Sequence, residues 1–199
     1  MKHGPDGQLR VVRLAVAASA GYAWLALALA FVCQDILPVM TASPYHAAWR
    51  LLPFVFAAGA FDGVYFFFVN TLFVRVSGLV PLVTLVGSVF SVAANLWLIP
   101  RFGFLGAGIA LPIGAAASCA TALAISKWKE PLPFHWFAML GFPVAALGFG
   151  QLVFLKGYFS WTTFLFMKAV TLVFTALGGV LLIRRWVPLS EIGVWRKNI

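Results

Sequence analysis

The chain has 199 residues, a mean hydropathy of +1.00, 63% hydrophobic residues and only 10% charged ones. Soluble domains carry about 25% charged residues, so a water-soluble fold of this length is excluded and lipid is the solvent for most of the chain. The net charge of +9 would suggest nucleic acid in a soluble protein. Here the basic residues cluster at the ends of apolar runs, which reads as membrane topology and contact with anionic headgroups.

In chain order, residues 1–10 (MKHGPDGQLR) contain a Gly-Pro-Asp-Gly turn and read as a loop. The apolar run from Leu14 to Gln34 follows. Ala18-Ser19-Ala20 mimics a signal cleavage site, but the run outlasts a signal core of about 7–15 residues, so a spanning helix is expected. Spans are predicted at about 12–34, 49–74, 79–99, 104–126, 134–155 and 160–183, each near the ~20 residues that cross ~30 Å of hydrocarbon. The expected fold is an all-α integral membrane protein with six transmembrane helices. Residues 1–11 form a cytoplasmic segment, 12–183 the membrane lobe and 184–199 a cytoplasmic tail. That tail reads equally as an amphipathic interfacial segment or a frayed end.

Orientation follows from Lys and Arg. With an even number of spans both termini share a side, which holds Lys2, Arg10, Arg13, Arg75, Lys127, Lys129, Arg184, Arg185, Arg196 and Lys197. The other side holds Arg50, Arg101 and Lys156, with Lys168 inside a span. This bias makes the termini cytoplasmic. Tyr45, Trp49, Phe102, Trp136, Tyr158, Trp161 and Trp186 sit where interfacial aromatic belts belong. Cys33 and Cys119 fall at different depths, too far apart for a disulfide.

The stretch NLWLIPRFGFLGAGIA, Asn95 to Ala110, is the most distinctive. Pro100 to Gly103 separate two spans, and Pro100 and Gly103 are expected to make the corner of a tight helical hairpin. Asn95, Pro100, Gly103, Gly106 and Ala107 are its structural motif; Gly106, Gly108, Ala110, Gly114 and Ser118 give the following helix a small-residue packing face, and Pro112 and Pro143 are expected kinks. This motif resembles the C-terminal half of bacterial polysaccharide (O-antigen, lipid-linked oligosaccharide) flippases of the multidrug/oligosaccharidyl-lipid/polysaccharide exporter superfamily. DILPVMTASPYHAAWRLLP, with Tyr45, Ala47, Ala48, Leu51, Leu52 and Pro53, is similar to the family's external loop and helix start. The resemblance covers roughly residues 10–126.

The resemblance implies one lobe of a two-lobe transporter fold whose relatives carry twelve to fourteen spans, hence a C-terminal half or fragment. It implies flipping of polyprenyl-pyrophosphate-linked oligosaccharide in polysaccharide or lipopolysaccharide biosynthesis, in the bacterial inner membrane. The partners implied are an N-terminal lobe or a second copy, and the lipid bilayer; nucleic acid and cofactors are not expected. A multidrug-type exporter of the same superfamily and a non-transporting assembly subunit are the alternatives.

Two charged residues lie at depth. Asp62 falls near the middle of the second span, where an acid costs about 2.5–3.5 kcal/mol and so faces a cavity or a partner. It reads equally as an ion-coupling carboxylate and as a structural contact beside Gly59 and Gly63. Lys168 reads as a contact for lipid pyrophosphate, as a partner for Asp62, or, by preference, as a side chain snorkelling to the interface. Asn70 and Asn95 read as structural amides. His3, His46 and His135 have no ligand spacing, and no metal cluster, P-loop or nucleophile–base arrangement supports enzyme chemistry.

Overall fold

A computed structural model describes residues 5–129, 136–158 and 160–186. The described chain is all-α, with α1 (Pro5–Met40), α2 (Leu52–Val76), α3 (Val80–Phe102), α4 (Phe104–Lys129), α5 (Trp136–Gly150) and α6 (Trp161–Trp186). Short 3₁₀ segments, Ser43–Leu51, Ser77–Leu79 and Gln151–Gly157, join or extend them. Five stretches are long and apolar enough to cross a membrane, namely Arg13–Met40, Ser43–Asn70, Val80–Phe102, Phe104–Trp128 and Trp161–Leu181. Met139–Leu155 is a shorter apolar helical stretch.

The helix ends differ from expectation in four places. α1 begins at Pro5, within the expected loop, because the fixed φ of proline suits a first helical turn. It then runs past residue 34 to Met40, with Pro38 inside it. The backbone N–H and hydroxyl of Thr41 both donate to the Leu37 carbonyl and close that end. α3 continues through Pro100 to Phe102, so Pro100 lies within the last turn and does not make the corner. Gly103 alone does so, at φ 58°, and its N–H donates to the Ile99 carbonyl at 2.8 Å. Finally, the fifth helix keeps α geometry only to Gly150 and continues as 3₁₀ turns, where Gly148 and Gly150 weaken the ladder. The tail beyond 186, His3 and His135 lie outside the described residues.

Antiparallel neighbours are set by the short turns. α3 and α4 pack most intimately: the backbone at Leu98 and Ile99 faces Gly106, Ser91 faces Gly114, and Gly87 faces Ser118. The residue numbers of these pairs rise on one helix as they fall on the other, the register of an antiparallel crossing. α5 instead runs parallel to α1. The Ser19 hydroxyl donates to the Met139 carbonyl and the Gln34 amide to the Val153 carbonyl, offsets of 120 and 119 residues.

The core lies where α1, α2, α4 and α5 meet, around Val16, Phe61, Val64, Phe68, Cys119 and Met139. α3 adds Val83 to it, while its outer side exposes Leu85, Val89, Phe90 and Val92. α6 leans on α1 and exposes Phe166, Val170, Val173, Phe174 and Leu177. Such apolar outer faces fit helices whose solvent is hydrocarbon. Pro112 and Pro143 are buried inside α4 and α5 without ending either helix. Cys33 and Cys119 are free thiols on α1 and α4.

Candidate functional site

Polar side chains gather at two places within the helices. The first joins α1 to α6. Lys168 is 7% exposed, and its ammonium donates to the Asp35 carboxylate at 2.8 Å and to the Phe31 carbonyl at 3.0 Å. The Phe164 ring lies beneath it, 4.8 Å from Nζ. One residue before Asp35, Gln34 is fully buried. Its amide nitrogen reaches Val153, while its carbonyl oxygen meets no hydrogen-bond donor among the described residues.

This arrangement corrects two expectations for Lys168. It does not snorkel, because acceptor oxygens on α1 face its ammonium at short range. Nor is its partner Asp62. Asp35 is that partner, and a boundary at residue 34 hid it by leaving it in a loop. The sequence offered only an acid at the edge of one apolar run and a lysine inside another; that α1 and α6 pack together is a tertiary fact.

The second place is a cavity of about 230 Å³ between α2, α3 and α4. It is an open groove: Asp62 on α2 and Thr84 and Ser88 on α3 line it as exposed residues, and Ser91 on α3 and Ser118 on α4 as half-buried ones. The spacing explains why they converge. Thr84, Ser88 and Ser91 recur at i, i+4 and i+7 on one helical face, and Gly87 in the same stretch brings α3 close to α4.

The Ser118 hydroxyl fills the space that a side chain at Gly87 would take, and Ser91 does the same opposite Gly114. Two reciprocal Gly–Ser pairs therefore hold the crossing together and place hydroxyls at its edge. On the other flank α2 and α3 touch little. Tyr65 Oη lies 3.3 Å from Thr84 Oγ1 across that gap. Among the described residues, no hydrogen bond or ion pair reaches the Asp62 carboxylate. Every polar side-chain atom lining the cavity is an oxygen.

The remaining candidates are architectural. Asn95 Nδ2 donates to the Ser91 carbonyl of its own helix at 2.9 Å. Gly106 packs against the Leu98 and Ile99 backbone, beside half-buried Ala107. Asn70 is exposed on α2. His46 lies 2.9 Å from the Thr41 carbonyl. Among the described residues no three His, Cys, Asp or Glu side chains group as metal ligands.

A larger cleft of about 800 Å³ opens between α1, α5 and α6, with an almost wholly apolar lining. α5 and α6 are each tied to α1, the latter also through the Trp24 indole and the Leu172 carbonyl at 3.2 Å, yet they barely meet each other. A methyl added at Gly21, Gly141, Gly178 or Gly179, all lining this cleft, would meet nothing within 4 Å.

No protein-family profile, curated protein or solved structure matches the chain.

Proposed function

We propose that this chain is one six-span lobe of a membrane translocator that flips lipid-linked oligosaccharide from the cytoplasmic to the outer leaflet during polysaccharide or lipopolysaccharide biosynthesis. The lobe sits in a bacterial inner membrane with both termini cytoplasmic and works against an N-terminal lobe or a second copy. Support comes from the resemblance of residues 10–126 to polysaccharide flippases.

The observation that carries the reading is Asp62. It is an exposed carboxylate near the middle of a spanning helix, at an open groove lined in part by hydroxyls, with no hydrogen bond or ion pair to it among the described residues. A mid-bilayer acid without a structural bond costs free energy that a purely architectural helix has no reason to bear. Asp62 serves as the ion-coupling group. Lys168, held by Asp35, positions α6 against α1.

Deleting the coding sequence tests this. Surface polysaccharide should be lost while oligosaccharide-lipid accumulates in the membrane, and re-expression should restore the surface glycan. An unchanged surface glycan in the deletion strain would overturn the reading.

The apolar cleft between α1, α5 and α6 favours a second reading, a multidrug-type exporter taking apolar organic cations. Sensitivity of the deletion strain to such compounds, with its surface glycan intact, would select it.

A further inference from the structure

We propose that the apolar cleft between α1, α5 and α6 is a binding site for one anionic phospholipid, which joins α5 to α6. The occupant is a resident lipid of one leaflet and not cargo, so the inference goes beyond the proposed function and holds whatever the chain translocates.

The cleft is a space that the protein does not close. α5 and α6 both pack on α1 yet barely meet each other. Gly21, Gly141, Gly178 and Gly179 line it from three helices, and a methyl added at any of them meets nothing within 4 Å. Small residues in spans normally let backbones approach. Here they leave room for a foreign chain.

Its depth matches one leaflet. The lining uses residues 16–27 of α1 and 174–180 of α6, and Leu27 lies near the middle of the Arg13–Met40 span. At and beyond that depth Trp24 is bonded to Leu172 and Lys168 to Asp35. These ties join α1 to α6 at mid-bilayer and leave the mouth at the end that holds the start of α1 and the end of α6. Residues 16–27 rise about 16 Å along the helix, and one leaflet supplies about 15 Å of hydrocarbon.

Volume selects the occupant. Spread over that length, about 800 Å³ leaves a cross-section of about 50 Å², whereas a helix about 10 Å across needs about 80 Å². A partner's spanning helix is therefore too thick. A methylene displaces about as much volume as a water molecule, about 30 Å³, so the cleft takes about 25–30 methylenes. That is the pair of acyl chains of one phospholipid; a long polyprenyl chain outruns both the depth and the volume.

Charge selects the headgroup. Arg13 precedes Ala17 by four residues, on the face of α1 that carries Ala20, Gly21 and Trp24. Arg184 follows Val180 by the same step on α6. Two lining faces thus end, one turn beyond the cleft, at an arginine, where the phosphate of a lipid with its chains inside would lie. Guanidinium groups suit phosphate oxygens, and juxtamembrane arginines attract anionic headgroups.

The test uses the purified full chain in detergent, with dioleoyl phosphatidylglycerol as the probe and dioleoyl phosphatidylcholine as the zwitterionic reference. Lipid extracted from the extensively washed protein should contain one two-chain anionic phospholipid per chain. Phosphatidylglycerol should raise the melting temperature saturably, by about 5–10 °C at a hundredfold excess over half-saturation. Arg13→Gln and Arg184→Gln should each reduce its advantage over phosphatidylcholine about fivefold. Gly141→Leu with Gly178→Leu, which places side chains in the open space, should displace the lipid and abolish the shift.

Melting of each variant without added lipid shows whether it folds. If the leucine pair does not, Gly178→Leu alone and the arginine variants carry the test. Absence of retained lipid and of a saturable shift overturns the site. So does an equal shift with both lipids, or a preference unchanged by the arginine and leucine variants, which would mark general solvation by lipid. Recovery of a polyprenyl lipid in place of the phospholipid, or its displacement by tetraphenylphosphonium, would make the cleft a cargo site and overturn the proposal as well.

Discussion

The ammonium of Lys168 lies 2.8 Å from the carboxylate of Asp35 and joins the far end of α1 to the first turns of α6. The lysine side chain is 9% exposed and the aspartate 30%, so the pair is only partly shielded from its surroundings. Removing one partner of a buried pair strands the other and costs about 3–5 kcal/mol. The exposure of Asp35 lowers that here to about 2–3 kcal/mol. Lys168→Met and Asp35→Asn should each lower the melting temperature in detergent. The exchanged pair Asp35→Lys with Lys168→Asp should recover most of the loss. Single variants as stable as the parent would contradict the contact.

The glycines separate into two groups with opposite expectations. An alanine methyl at Gly87 or Gly114 collides with Ser118 or Ser91 at the α3–α4 crossing, and overpacking of this kind costs about 1–3 kcal/mol. A methyl at Gly178 meets nothing within 4 Å, so alanine there should be neutral or stabilise by up to about 1 kcal/mol through helix propensity. Thermal melts of the three variants check the ranking. Equal effects would mean that the crossing is looser than described.

Much of this architecture was legible in the sequence because its cause is local. Hydrocarbon thickness sets span length, and Gly106, Gly114 and Ser118 at helical spacing mark a packing face before any partner is known. The corner at Pro100–Gly103 was half legible, since a proline tolerated in a last turn looks the same in sequence as one that ends a helix. Asp35 was not, because a polar residue at the edge of an apolar run is read as loop unless the partner that buries it is known. The hydroxyl stripe Thr84, Ser88, Ser91 was readable by period. Its meaning depended on Asp62 facing it from α2, which is a tertiary fact.

Gly103 makes a sharper prediction. At φ 58° and ψ −135° its backbone occupies a region that side chains disfavour, at a cost of about 1–3 kcal/mol. Gly103→Ala should lower stability by that order. An alanine of unchanged stability would show that the hairpin can turn elsewhere.

Asp62 distinguishes a structural from a functional acid. Its carboxylate has no hydrogen bond or ion pair among the described residues, so Asp62→Asn should leave stability unchanged or raise it. A loss above about 2 kcal/mol would make it an anchor between helices.

The measurement closest to the central claim is the leaflet position of oligosaccharide-lipid in membrane vesicles from cells that express the parent chain or its Asp62→Asn variant in the deletion background. With the parent, an imposed ion gradient should move the lipid-linked glycan to the leaflet topologically equivalent to the cell exterior, where an added glycosidase or lectin reaches it. With Asp62→Asn, accessibility should fall to the level of the deletion strain although the protein is present and folded. Equal accessibility with the parent, the variant and the deletion would contradict the account.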